Sequence, residues 1–246
     1  MPARLASYRE PVQSVSRPRP PVTAAPPPLR LRRWVGFTVL GESLGFLIPV
    51  TAFAVAAALG LSAWSAWGVL VVFGAGEGAL LGLGQALGAR YSRAEVPIGS
   101  WVAATAVAAS VAWAIGMLPS TLADLGAEID WASPATWAIA APAALALLAT
   151  IPLAQRPLLA RAGVPGSWWW LPINMGAWLV GIAFTFLPSP WVDETTPAAL
   201  TFALFAVAGV LMATTVAVLT GLGLRAMLRN AGTRPAVGAR SGNGGE

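Results

Sequence analysis

The sequence predicts an all-α fold: a polytopic membrane bundle of six transmembrane helices built from three parallel two-helix repeats. Three observations carry that prediction. The 246 residues are 57% hydrophobic and only 10% charged, whereas about a quarter of a soluble domain is charged. The apolar residues gather in six runs, each long enough to cross a hydrocarbon core of ~30 Å, which takes roughly 20 helical residues. All 15 basic residues are Arg, and they fall in the terminal segments and at alternate breaks, with Arg156 just inside the end of the fourth run.

Taken in order, residues 1–33 are rich in Pro and Arg (PRPRP, APPPLRLRR). Such a run supports neither helix nor packed core, so a disordered cytoplasmic tail is expected there. It lacks the pattern of a cleaved signal peptide, because the apolar stretch from Trp34 is too long and no polar mature domain follows. The six expected spans are Trp34–Ala58, Trp64–Ala89, Ile98–Leu118, Thr136–Leu158, Trp168–Leu187 and Ala198–Leu224. Helix is the assignment for each, since a barrel strand would alternate apolar and polar residues over about half that length. Between the third and fourth spans, TLADLGAEIDW (Thr121–Trp131) reads as a short amphipathic surface helix or as a solvated loop. Residues 230–246 are expected to form a second disordered cytoplasmic tail.

Charge then orients the bundle. Arg30, Arg32 and Arg33 precede the first span, Arg90 and Arg93 follow the second, Arg156 and Arg161 flank the end of the fourth, and Arg225 and Arg229 close the sixth. The opposite breaks hold Asp124, Glu128, Asp130, Asp193 and Glu194. By the positive-inside rule the Arg end is cytoplasmic, which predicts a multi-pass protein of a bacterial cytoplasmic (inner) membrane with both termini inside. The Arg cluster before the first span reads chiefly as this topology signal, with binding of anionic headgroups as the alternative. Trp64, Trp67, Trp131, Trp137 and Trp191 fall near the outer boundary, and Trp34, Trp101 and Trp168 to Trp170 near the inner one, as expected of an aromatic belt.

The spans also repeat. The breaks VPIGSW and VPGSW open the third and fifth spans. With Trp34, Trp101 and Trp170 in register, Thr38, Thr105 and Asn174 follow one turn later. The same register aligns small pairs at Gly41 and Gly45, Ala108 and Ala112, and Ala177 and Gly181. The even spans end alike in GLGQALGAR, PLAQRPLLAR and GLGLRAMLR. Three hairpins follow, 34–90, 101–161 and 170–229, related by an axis along the membrane normal. Small residues on one stripe mark helix contact faces in lipid, and the longest stripe, Gly74, Gly78 and Gly82, predicts a central place for the second span. In these features the chain resembles uncharacterised bacterial multi-pass membrane proteins whose hairpins repeat a G-L-x-Q segment, a basic residue and a Trp-led helix. It departs from that pattern in the third copy, where Leu224 replaces Gln.

Composition excludes several chemistries. With no Cys, His or Lys, the chain has no thiolate nucleophile, imidazole metal ligand, Ser-His dyad or Schiff-base lysine. No cofactor, metal site or enzymatic activity is expected, and no soluble basic module is present to bind nucleic acid.

Glu42 and Glu77 are the only acids inside the expected spans, and an ionisable group at bilayer depth costs at least ~2.5 kcal/mol. Glu42 lies roughly 13 Å of helix from Arg33 and Glu77 roughly 20 Å from Arg90, so the two carboxyls fall at comparable depth on antiparallel neighbours. Pro49 frees the Gly45 carbonyl one turn beyond Glu42, and Thr38, one turn before it, is positioned to donate to the carboxylate. Together with Gln85 these residues form the expected intramembrane polar site. It would serve protons, a cation or a small polar ligand, or act as interhelical hydrogen-bond glue. Gln85, Gln155 and Asn174 also read as packing bonds specific to each repeat. Two functions follow: a small transporter or permease-like protein with a midplane polar site, or a noncatalytic scaffold or accessory subunit that binds membrane partners or further copies of itself. A polar cavity reachable from one face separates the first from the second.

Overall fold

A computed structural model describes residues 27–193 and 195–230 of the chain. Of the tails expected at 1–33 and 230–246, residues 1–26 and 231–246 lie outside the described residues, as does Glu194, while Leu31 to Arg33 and Asn230 are helical. Among the described residues seven α-helices form: α1 Leu31–Ala58, α2 Ala63–Ala89, α3 Ile98–Gly116, α4 Leu118–Asp124, α5 Pro134–Arg161, α6 Trp170–Thr185 and α7 Ala198–Asn230. Regular structure among the described residues is helical throughout, and six of the helical segments are long and apolar enough to cross a membrane.

The boundaries follow local chemistry. Ser62 caps α2 by accepting the Ser65 backbone N–H at 3.4 Å, and Ser133 caps α5 immediately before Pro134, whose missing donor costs nothing at a first helical position. α1 starts one turn earlier than expected, at Leu31, and Leu29 before it is buried. Arg33 is thus helical, and its Nε donates to the Leu87 carbonyl at 3.1 Å. α6 starts at Trp170 because Gly166, at φ 62°, turns the chain into a single 3₁₀ turn over Ser167–Trp169. The stretch expected to be a surface helix or a loop divides: α4 ends at Asp124, and Gly126 at φ 87° breaks the chain into a loop.

The six long helices pack in chain order as a closed ring: α1 on α2, α2 on α3, α3 on α5, α5 on α6, α6 on α7, and α7 back on α1. The expected central place for α2 is therefore not observed. Its Gly74, Gly78 and Gly82 face α3, where a Cβ at Gly78 would lie 2.7 Å from the Thr105 carbonyl oxygen. Its Gly84 and Gly88 face α1 just as tightly, with a Cβ at Gly84 lying 2.2 Å from the Phe37 carbonyl oxygen. The stripe marks a tight ring contact instead. Without a hydrophobic force between helices in lipid, such close backbone approach is what holds neighbours together.

Each long helix turns bulky apolar side chains outward, among them Phe53, Val72, Val107, Ile139, Leu179 and Val207. A continuous apolar girdle of this kind would be a severe liability in water and is the surface that lipid requires.

Candidate functional site

The ring encloses three levels, and the four residues of the expected site are divided among them. Nearest the Arg end sits a tryptophan and amide layer. Trp34, Trp101 and Trp170 are all at most 1% exposed, and Trp170 touches both others with ring centroids 6.3 Å apart. These three are not belt residues, contrary to the expectation. They fill the bundle axis, while Trp168 and Trp169 remain exposed beside them. The signal was present in the common register of the three, since a belt residue has no reason to recur with the same inward partner one turn later.

Each buried indole donates to the even-numbered span of the preceding hairpin. Trp101 Nε1 donates to Gln85 Oε1 at 3.1 Å and Trp170 Nε1 to Gln155 Oε1 at 3.0 Å. Trp34 Nε1 donates to the Ala217 carbonyl at 3.1 Å and to Thr220 Oγ1 at 3.3 Å. Leu224, which stands in the Gln register, has no acceptor to offer, and Thr220 one turn earlier takes that part. Gln155 Nε2 closes the layer by donating to Gln85 Oε1 at 2.8 Å and Thr105 Oγ1 at 2.9 Å.

One turn outward lie Thr38, Thr105 and Asn174, all fully buried. Thr105 has its bond from Gln155. Thr38 Oγ1, Gln85 Nε2 and both amide atoms of Asn174 are buried without a hydrogen-bond partner among the described residues. The expected Thr38 bond to Glu42 is not formed: neither Glu42 oxygen meets a donor hydroxyl, amide or indole among the described residues, and its carboxyl faces that of Glu77.

Beyond this layer the ring holds a half-open cavity of about 400 Å³, lined by residues of all six long helices. The next two rungs of the odd spans all face it: Glu42, Ala109 and Trp178, then Phe46, Trp113 and Ile182. It reaches Gly116 and Thr185, the last residues of α3 and α6, at the acidic end. Glu42 and Glu77 both line its inner part, within electrostatic range of each other. Glu42 is fully buried and Glu77 nearly so. Trp113 Nε1 donates to Glu77 Oε2, while Trp178 Nε1 is buried without a partner among the described residues. The Trp113 ring is seated against Gly74, where a Cβ would lie 2.2 Å from its Cδ1.

Of the four expected site residues, Glu42 and Glu77 therefore meet at one cavity. Thr38 and Gln85 do not line it and belong to the layers beneath its floor. Sequence reasoning missed Phe46, Trp113 and Trp178, although stepping four residues at a time from the register Trp leads to each position. Among the described residues, no group of three or more acids is placed to hold a metal ion. No protein-family model, curated protein or solved structure matches the chain, so its reading rests on this internal geometry.

Proposed function

We propose that the chain is a small transporter or permease-like protein of a bacterial cytoplasmic membrane, with its Arg end inside and the paired carboxyls as the midplane site. The observation that carries this reading is the cavity: it is bounded by all six spanning helices, runs from Glu42 and Glu77 to the acidic end, and is closed toward the Arg end by the tryptophan and amide layer. A scaffold has no use for two buried carboxyls beside a cavity, because an ionisable group at this depth costs stability whether or not it carries a charge.

The three hairpins are further proposed to be repeats about one axis. The cyclic pattern of indole bonds supports this, as do the two rungs that line the cavity from α1, α3 and α6 together.

Proteoliposomes with a trapped pH-sensitive dye test the reading. Under an imposed proton gradient the wild type should collapse the gradient faster than a Glu42→Gln, Glu77→Gln double variant. Wild-type vesicles no leakier than protein-free ones, with and without an opposing gradient of an organic cation, would refute it.

A further inference from the structure

We propose that the cavity binds an organic monocation with an apolar or aromatic body, an inference that rests on the transport reading and gives it a substrate class. Charge comes first. Glu42 and Glu77 line the cavity, and no Arg is among the residues that surround it. The fully buried Glu42 carboxyl faces that of Glu77, and neither of its oxygens meets a donor from any other described residue, so acceptor capacity remains at the inner wall. A buried acceptor of this kind is satisfied by a proton or by a bound donor or cation.

The walls then select among cations. Apart from the two glutamates, the lining residues with polar side-chain groups are Trp113, Trp178 and Thr185. The indole N–H groups are donors, and Thr185 Oγ1 already donates to the Ile182 carbonyl at 2.6 Å. Calcium takes six to eight oxygen ligands and magnesium keeps several waters, and this lining offers too few oxygens for either. Phe46, Trp113 and Trp178 instead present aromatic surface beside the carboxyls, on consecutive rungs of α1, α3 and α6. Aromatic faces with an adjacent anion are the arrangement that recognises ammonium groups too weakly hydrated to need oxygen ligands. The remaining walls, including Leu147, Ile151 and Met212, are aliphatic and suit an apolar body. About 400 Å³ admits a molecule of the size of benzyltrimethylammonium.

Calorimetric titration of the purified full chain with three probes of one shape tests the assignment: benzyltrimethylammonium, its neutral carbon isostere neopentylbenzene, and benzenesulfonate. The cation should bind at least tenfold more tightly than the neutral isostere, and the sulfonate should not bind. Glu42→Gln should remove that preference, and Trp178→Leu should weaken cation binding severalfold while leaving the neutral isostere within twofold. The wild-type ligand series decides the matter even where a variant fails to fold. Equal affinity for cation and neutral isostere would overturn the substrate class, as would no binding of any probe alongside a carboxyl-dependent proton flux. Both of those results leave transport standing. Absence of both binding and flux would overturn the transport reading as well.

Discussion

A methyl group at Gly84 is the smallest change that tests how the ring is held together. The added Cβ would lie 2.2 Å from the Phe37 carbonyl oxygen and 3.3 Å from Gly41 Cα. Non-bonded atoms settle near ~3.5 Å, so α1 and α2 must part by roughly 1 Å along this contact. Both obstructing groups are backbone, which cannot rotate aside as a side-chain tip can. Overpacking of this kind costs typically about 1–3 kcal/mol, and the rigid neighbours place Gly84→Ala toward the upper end. For a chain of this length, that corresponds to a fall of roughly 3–12 °C in melting temperature. Gly36→Ala is the matched control, because nothing lies within 4 Å of a Cβ there. Gly41→Ala meets the Leu80 carbonyl oxygen at 2.4 Å across the same contact. Once one methyl has separated the helices the second has less to displace, so the double variant should lose less than the sum of the singles. Thermal melts of the detergent-solubilised proteins measure all four. Gly84→Ala and Gly36→Ala melting together would refute close backbone packing of α1 on α2.

Three further outcomes are expected. Trp170→Phe should destabilise more than Trp101→Phe, by up to about 1.7 kcal/mol, because Gln155 Oε1 loses its indole donor whereas Gln85 Oε1 keeps its bond from Gln155; denaturation of the two variants side by side checks this, and the reverse order would contradict the bonding described. At the acidic end, the Thr195 hydroxyl and backbone N–H and the Thr196 hydroxyl hold the Asp193 carboxyl below the usual carboxylate range. A lowered folded-state value means that these contacts are complete above the ordinary carboxylate value of about 3.9 and lost as pH falls through the lower folded one. Hydrogen exchange at the Thr195 amide should therefore lose protection in that acidic window, and Asp193→Asn should abolish the step. Orientation is tested by single cysteines in this naturally Cys-free chain: a membrane-impermeant maleimide added to whole cells should label Asp130→Cys but not Arg90→Cys.

The sequence by itself determined that six helices form that are long and apolar enough to cross a membrane, because run length and the cost of unpaired backbone in lipid favour no other structure. It also determined the charge asymmetry between the ends, since that is a property of position along the chain. Glu42 and Glu77 were legible for the same reason: two acids inside apolar runs at like depth announce themselves. Only the tertiary structure decided what surrounds them. A residue near a span boundary faces either lipid or the bundle axis, and helical spacing alone does not say which until neighbouring helices are placed. Trp34, Trp101 and Trp170 thus passed for belt residues until the ring buried them. The same ambiguity hid Phe46, Trp113 and Trp178, apolar residues in apolar runs that differ from their lipid-facing neighbours only in direction. It also assigned Thr38 and Gln85 to the carboxyl site, although their side chains point into the layers beneath it, because which rung a side chain serves is set by the packing of six helices about an axis and not by any one of them.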